Sequence, residues 1–463
     1  MKPIRFVLAC VILISACAPR VPLPTPTRAP AATPTTPALP TATEIVEVSP
    51  APPLVVTATL LPQPVQSGTI TPESTARHLR IFEQLWNTVD TQYVYPDFHG
   101  VDWEAAYSEF ESRIESGLSD EIFWQAMREM VDRLADDHSA FLTPSEAREE
   151  DDQLSGTLAY VGIGVYAAAQ DDKEQAVIFH VFPGSPAAEA GLRVHDAILR
   201  IDGQRVVDAD GTEHLDWLRG PTGTSTVLTV RSPGAAPREV TVTRRRISGT
   251  LHSTGRVLPV EAANQSIGYI MIPTLWDTAI EDSTRQVLRD LTSGGQLDGL
   301  IVDMRINAGG SSNNLLALLG FFTAGQHGEF AGRDQTRPLE VVADPIGNSQ
   351  NVPLVILISP DTQSYAEVLS GVLREAGRAQ LVGQTTAGNI ETIYGYDFED
   401  GSRAWIARET FIPPSGDDWE TTGLIPDVTV AADWDEFADQ DDPYIAAALD
   451  LLTQPVGTAL PPN

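Results

Sequence analysis

Lysine is nearly missing from this chain of 463 residues, which holds only Lys2 and Lys173. Cysteine is as scarce, with Cys10 and Cys17 alone. Two thiols exclude a disulfide framework and a four-thiolate zinc site. Positive charge is short throughout: 30 Lys and Arg stand against 63 Asp and Glu, a formal net charge of -33. So negative a field repels phosphate backbones and anionic lipid surfaces, and no nucleic-acid partner is expected. Beyond the first residues no apolar run approaches the roughly 20 residues of a membrane span. What is present is a 42% hydrophobic content, enough for folded cores. The length suggests about two to four structural units.

Both cysteines lie in the first 17 residues. Lys2 and Arg5 make a positive start, and Phe6 to Ile14 is an apolar run of signal-peptide length. The run ends in Ile14-Ser15-Ala16-Cys17, which resembles a bacterial lipobox. That implies residues 1–17 as a lipoprotein signal, Cys17 as the lipidated residue, and an extracytoplasmic protein anchored to a bacterial cell membrane. An ordinary secretory signal with a chance cysteine is the alternative. In the lipobox reading Cys10 is discarded and no free thiol remains, which removes cysteine-protease and thiol redox chemistry. Residues 18–72, rich in Pro, Thr, Ala and Val, bury too little surface to offset ordering and read as an extended linker.

Three folded units are expected behind it. Over residues 73–152, Leu79, Phe82, Leu85, Trp86 and Val89 follow helical spacing, with Thr71-Pro72-Glu73 as a start. Ser119-Asp120-Glu121 opens a second helix, which runs into Asp136-Asp137-His138-Ser139. Residues 156–247 turn to short strands, with Gly184-Ser185-Pro186-Ala187-Ala188 before a short helix and Asp202-Gly203 closing a hairpin. This stretch resembles a bacterial PDZ domain of the protease-associated kind. The resemblance implies that a peptide adds a strand beside Tyr160–Val165, with backbone N–H groups of Gly162, Ile163, Gly164 and Val165 holding its terminal carboxylate. A small barrel with only a packing role is the alternative. His195, where many relatives have glycine, reads as a turn variant rather than a ligand. Over residues 248–440 strands and helices alternate, which predicts an α/β core with a largely parallel sheet. Residues 441–463 read as a helix at Tyr444–Leu452 and a Pro-rich tail.

Four segments of this core carry the argument for chemistry. Asp303-Met304-Arg305-Ile306-Asn307-Ala308-Gly309-Gly310 is a buried strand running into a Gly-Gly turn, where backbone N–H groups can face a cleft. Ser364 stands just before a helix whose N-terminus favours developing negative charge, and the Tyr365 N–H is a candidate second donor. A simple helix cap is the plainer role for such a serine. Val382-Gly383-Gln384-Thr385-Thr386-Ala387-Gly388-Asn389 follows the next strand, and Glu420-Thr421-Thr422-Gly423-Leu424-Ile425-Pro426-Asp427 closes the domain.

In this order, with a PDZ domain inserted before them, these motifs resemble the C-terminal processing (tail-specific) serine peptidases and the related tricorn-core proteases. The likeness runs from about residue 75 to 430. It implies a helical N-terminal region, a β-rich PDZ domain and a crotonase/ClpP-like α/β peptidase core. It also implies Ser364 as nucleophile, with Tyr365 and Gly309 or Gly310 as oxyanion donors, protein or peptide C-termini as partners, and no cofactor or metal. The processing-peptidase branch uses a lysine base after the glycine of the Val-Gly-x-x-Thr-x-Gly segment. Here that position is Asn389, and neither lysine can replace it. The tricorn-like branch uses a histidine from the helical region and a late glutamate. By that resemblance His138 is the base and Glu420 its acid, with Ser139 or Asp137 as a possible relay where tricorn has a serine. Asp303, Arg305 and Asp427 are read as structural. The rival expectation is a PDZ-containing lipoprotein that binds peptides and has lost catalysis.

Overall fold

The computed structural model describes residues 70–453, except 137, 155–158, 249–250, 259 and 261–264. The signal segment, Cys17, nearly all of the linker and Asp137 therefore lie outside the described residues.

The N-terminal helices form because their starts are capped and one face of each is apolar. Helix Pro72–Gln92 begins at Thr71, whose Oγ1 accepts the Ser74 N–H at 3.1 Å while Ser74 Oγ accepts the Thr71 N–H at 2.9 Å. Pro72 fills the first helical position, where its missing N–H costs nothing. Helix Asp120–Asp132 starts at Ser119, as the sequence implies. Helix Trp103–Glu115 between them was not foreseen. Phe82, Leu85, Phe110, Phe123 and Met127 pack together and against Trp405, on strand Arg403–Ile412. After the third helix Ala135 takes a left-handed turn, and the chain enters strand Ala140–Leu142, paired antiparallel with Arg403–Ile412. His138 is thereby set at the seam between the helices and the α/β core.

The core is a six-stranded sheet in the order Thr254–Leu258, Ile267–Met271, Gly299–Asp303, Leu354–Ile358, Ala379–Gly383 and Val428–Thr429. The first pairing is antiparallel and the rest are parallel. Gly299–Asp303 and Leu354–Ile358 are buried at every residue, which explains their unbroken apolar runs. Helices Ile280–Thr292, Ser312–Phe322 and Tyr365–Glu375 and the C-terminal helix Pro443–Thr453 pack around it. A second, antiparallel sheet holds Thr392–Asp397 and Arg403–Ile412 together with Gly325–Ala331, Thr336–Val341 and Ala140–Leu142.

In the PDZ region the run named from sequence divides. Ala159–Gly162 pairs with Arg245–Ser248, whereas Val165–Gln170 is the end strand of a separate antiparallel sheet. The edge strand of that sheet is therefore Val165–Gln170 and not the whole of Tyr160–Val165. The region docks on the segment before the C-terminal helix. His195, with φ at +73° and 2% exposed, lies 2.7 Å from the Trp434 carbonyl and stacks on its ring. Lys173 pairs with Asp433 and Asp435 at 2.6 and 2.7 Å. Both join the PDZ region to residues 433–439.

Candidate active site

Loops at the carboxyl ends of three adjacent parallel strands meet here. Beyond Asp303 the backbone is pinned by Asn307, whose side-chain amide donates to the Ile272 carbonyl at 2.9 Å and whose Oδ1 accepts the Gly309 N–H at 2.9 Å. Leu275 then brackets the two glycines: its N–H reaches the Gly309 carbonyl at 2.8 Å, and its carbonyl accepts the Ser311 N–H at 2.9 Å. A Cβ on Gly310 would stand 2.0 Å from the Leu275 carbonyl carbon, so no side chain fits. A Cβ on Gly309, at φ +89°, would stand 2.6 Å from Ser364 Cβ, so the turn lies directly against that serine. Asn307 Oδ1 takes the Gly309 N–H, whereas among the described residues no backbone or side-chain acceptor holds the Gly310 N–H.

Arg305, Asp303 and Asp442 hold this turn in place. Arg305 is buried, 2.6 Å from Asp303 and 2.7 Å from Asp442, and its guanidinium lies over the rings of Trp434 and Tyr444. Burial alone would raise the Asp303 carboxyl, but the charge of Arg305 outweighs it and holds Asp303 below the usual carboxylate range. Asp427 accepts the Leu381 N–H at 2.7 Å, again a structural role.

Ser364 follows strand Leu354–Ile358 through a turn tied to the Gly-Gly loop, with the Gln363 N–H on the Asn307 carbonyl at 3.0 Å. Its backbone, at φ 55° and ψ −131°, is in a region that non-glycine residues rarely occupy. Ser364 precedes helix Tyr365–Glu375, yet its side chain makes no cap hydrogen bond. The capping contact runs the other way: the Ser364 N–H donates to Glu367 Oε2 at 3.1 Å. The Glu367 N–H reaches the Ser364 carbonyl at 2.9 Å, and the Ser364 side chain is half-buried. Glu367 is fully buried and also accepts from Thr386 Oγ1, Gly388 N and Asn389 N, which fastens the next loop to this helix. Tyr365 opens the helix, and its hydroxyl meets Thr392 Oγ1 at 2.8 Å.

The loop from Thr386 to Glu391 links the serine to the histidine. The Asn389 carbonyl accepts the Ser364 N–H at 2.8 Å. Two residues on, Glu391 Oε2 lies 3.0 Å from His138 Nδ1. Both side chains are buried, at 3% and 8% exposure. His138 is fixed from its own side by Asp136, whose Oδ1 accepts the His138 and Ser139 N–H groups. The Ser139 hydroxyl accepts the Ala407 N–H at 3.1 Å, so it braces the strand pair and not the imidazole.

The acid at His138 is therefore Glu391, where the sequence argument put Glu420. Glu420, on short helix Trp419–Thr422, stands one step behind: its Oε2 accepts the Ile390 N–H at 2.7 Å, and its carboxyl is hydrogen-bonded to Glu391. Burial raises the Glu391 carboxyl, but hydrogen bonding to His138 and its charge outweigh that and hold it low. Burial pushes Glu420 the other way, strongly up, helped by the Glu391 charge. Glu391 escaped the sequence reading because it lies on the way into a strand of the second sheet, which no motif announced. An acidic residue three positions after Gly388 was the signal available.

In the PDZ region Ile163 is buried, and its carbonyl accepts the Ala187 N–H at 2.9 Å. The Gly164 carbonyl accepts the Phe182 N–H at 3.1 Å, while Gly162 bridges to Arg219. Val165 begins the edge strand.

Comparison with known proteins agrees with this geometry. Family models match in order along the chain: the Tricorn protease C1 domain over 74–132, a PDZ domain over 180–232, and Peptidase family S41 over 266–430. A carboxyl-terminal-processing protease of Synechocystis is 28% identical over 397 residues, 84% of this chain and 90% of that protein. The chloroplastic carboxyl-terminal-processing peptidase 2 of Arabidopsis thaliana is 28% identical over 354 residues, 75% of this chain and 68% of that one. Among solved structures, a photosystem II D1 C-terminal processing protease superposes with a TM-score of 0.56 at 25% identity, covering 78% of this chain and 94% of that one. With Ser364 held against Gly309 and the three matched units in order, the chain is a serine-type peptidase whose residues 266–430 match Peptidase family S41, and it is similar to the PDZ-bearing C-terminal processing peptidases.

Proposed function

We propose that this protein is an extracytoplasmic, lipid-anchored serine endopeptidase that cleaves near the C-termini of proteins and uses a histidine base. The observation that carries the histidine is the 3.0 Å contact of His138 Nδ1 with Glu391, on the same short loop whose Asn389 carbonyl receives the Ser364 N–H. An Nδ1–H held by a carboxylate leaves Nε2 as acceptor, the tautomer a general base requires. Ser364 Oγ attacks the scissile carbonyl while His138 Nε2 takes the hydroxyl proton. The developing oxyanion meets the Gly310 N–H and the Tyr365 N–H at the helix start. His138 then gives its proton to the leaving amine, and water hydrolyses the acyl-enzyme by the same path in reverse.

The tail specificity rests on the PDZ region: Val165–Gln170 is the edge strand of its sheet, beside the Gly162-Ile163-Gly164 loop. The anchor rests on the lipobox-like run ending at Cys17. Asn389 in the lysine position favours one second reading, a peptide binder without catalysis.

Incubation with a protein carrying a free apolar C-terminal tail, and with the same protein amidated at that end, tests the proposal. Ser364-dependent cleavage of the free form, at least about ten-fold faster than of the amidated form, is expected. Equal cleavage removes the tail specificity, and binding without any cleavage establishes the second reading.

A further inference from the structure

Behind His138 the molecule places two glutamates in contact with each other, and only one of them touches the imidazole. Glu391 Oε2 is 3.0 Å from His138 Nδ1, and its Oε1 accepts the Tyr95 hydroxyl at 3.1 Å. Glu420 receives the Ile390 N–H at 2.7 Å and is hydrogen-bonded through its carboxyl to Glu391. Ionised carboxylates only accept hydrogen bonds, so a bond between two of them requires a proton on one. The surroundings decide which. Glu391 has two donors that favour its charge, the imidazole and the phenol. Glu420 has one backbone donor and faces the carboxylates of Glu391 and Glu367. Asp136 and Tyr93, from the helical side, add no positive charge to Glu391. Among the described residues neither glutamate is ion-paired to a lysine or arginine.

We infer that Glu420 is a neutral positioning residue, which keeps the proton shared by the two carboxyl groups and donates it to Glu391, so that Glu391 stays charged and aimed at His138. The inference rests on the reading of Ser364 and His138 as the reacting pair. It differs from a serine–histidine–acid arrangement in which Glu420 is the ionised acid. Burial and the Glu391 charge both hold the Glu420 carboxyl in its acid form, as the inference requires. Should Glu420 ionise, two negative charges would adjoin, and the carboxylate holding His138 would be pushed out of line.

The test is the rate of Ser364 labelling by a fluorophosphonate across pH, in wild type and in Glu420→Gln, Glu420→Met and Glu391→Gln. Glutamine can still donate to Glu391, so E420Q is expected to lose no more than about ten-fold, whereas E391Q and E420M lose about a hundred-fold or more. The wild-type rate is expected to decline at alkaline pH, and E420Q to lack that decline. E420Q falling as far as E391Q, or keeping the wild-type alkaline decline, overturns the inference. Absence of labelling in wild type at every pH instead removes the reading on which it rests. Carbon NMR of glutamate-labelled protein at about pH 8 adds a direct reading: an un-ionised glutamate carboxyl present in wild type and missing from E420Q is expected, and its absence from wild type or its persistence in E420Q overturns the inference.

Discussion

His138 and Glu391 are separated by 253 residues of chain, yet Nδ1 of the one lies 3.0 Å from a carboxylate oxygen of the other. The contact closes the N-terminal helices onto the peptidase core, because His138 arrives on the turn into strand Ala140–Leu142 and Glu391 on the turn into strand Thr392–Asp397. Glu391→Gln keeps the shape and removes the charge. It is expected to lower peptide cleavage by about 10²–10⁴-fold with little change in KM, since the imidazole loses the partner that fixes its tautomer. Steady-state kinetics on the purified variant checks this, and cleavage within about three-fold of wild type would exclude Glu391 as the orienting acid.

The glycine turn makes a second, steric prediction. Gly309→Ala brings a methyl to 2.6 Å from Ser364 Cβ, and Gly310→Ala brings one to 2.0 Å from the Leu275 backbone. The first neighbour is a side chain on a strained turn and the second is main chain, so their costs differ. G309A is expected to fold but to lose about a hundred-fold or more in labelling, whereas G310A also loses roughly 3 kcal/mol of stability. Thermal unfolding and labelling on both variants separate the two effects; equal stability of the pair would contradict the packing argument.

Stability against pH tests the Glu420 proton independently of catalysis. Unfolded, Glu420 ionises near the ordinary glutamate value of 4.5; folded, burial first and the Glu391 charge second keep it protonated far above that. Over the interval between, the folded state binds more protons than the unfolded one. Its contribution is therefore full below the unfolded value and is lost as pH rises toward the folded one. Glu420→Gln cannot titrate. The Tm of E420Q relative to wild type is expected to rise as pH goes from about 5 to about 9, and a constant difference would contradict the assignment.

The joint between the PDZ region and the C-terminal segment gives a fourth prediction. Lys173 is partly exposed, and an ion pair of that kind contributes about 1 kcal/mol or less. His195 is buried, hydrogen-bonded to the Trp434 carbonyl and Asp439, and in contact with the rings of Trp434 and Phe437. His195→Ala should therefore cost about 2–3 kcal/mol locally, against a few tenths for Lys173→Met. Hydrogen exchange of residues 433–442 is expected to quicken at least about ten-fold more in H195A than in K173M, and the reverse order would contradict the account.

The sequence exposed most of the fold where local signals and tertiary structure agree. Thr71 and Ser119 cap the helices they announce, and the apolar runs around Gly299 and Leu354 are the central strands. The second sheet was not legible. Its strands Thr392–Asp397 and Arg403–Ile412 are set by pairing with residues far away in the chain, and Arg403–Ile412 carries arginines and a glutamate that blur its alternation. That gap concealed Glu391 and left Glu420, which a motif did mark, as the apparent partner of His138. The missing lysine was legible and pointed to His138. What holds His138 was visible only once Glu391, on the loop after Asn389, had been folded against His138 and Tyr95.

The central claim is that Ser364 is activated by His138 without any lysine. Fluorophosphonate labelling of wild type, Ser364→Ala and His138→Ala, each shown folded by thermal unfolding, tests it most directly. Labelling is expected in wild type, absent in S364A, and reduced about 10³-fold or more in H138A. Labelling of H138A at the wild-type rate, or none in folded wild type, would contradict it.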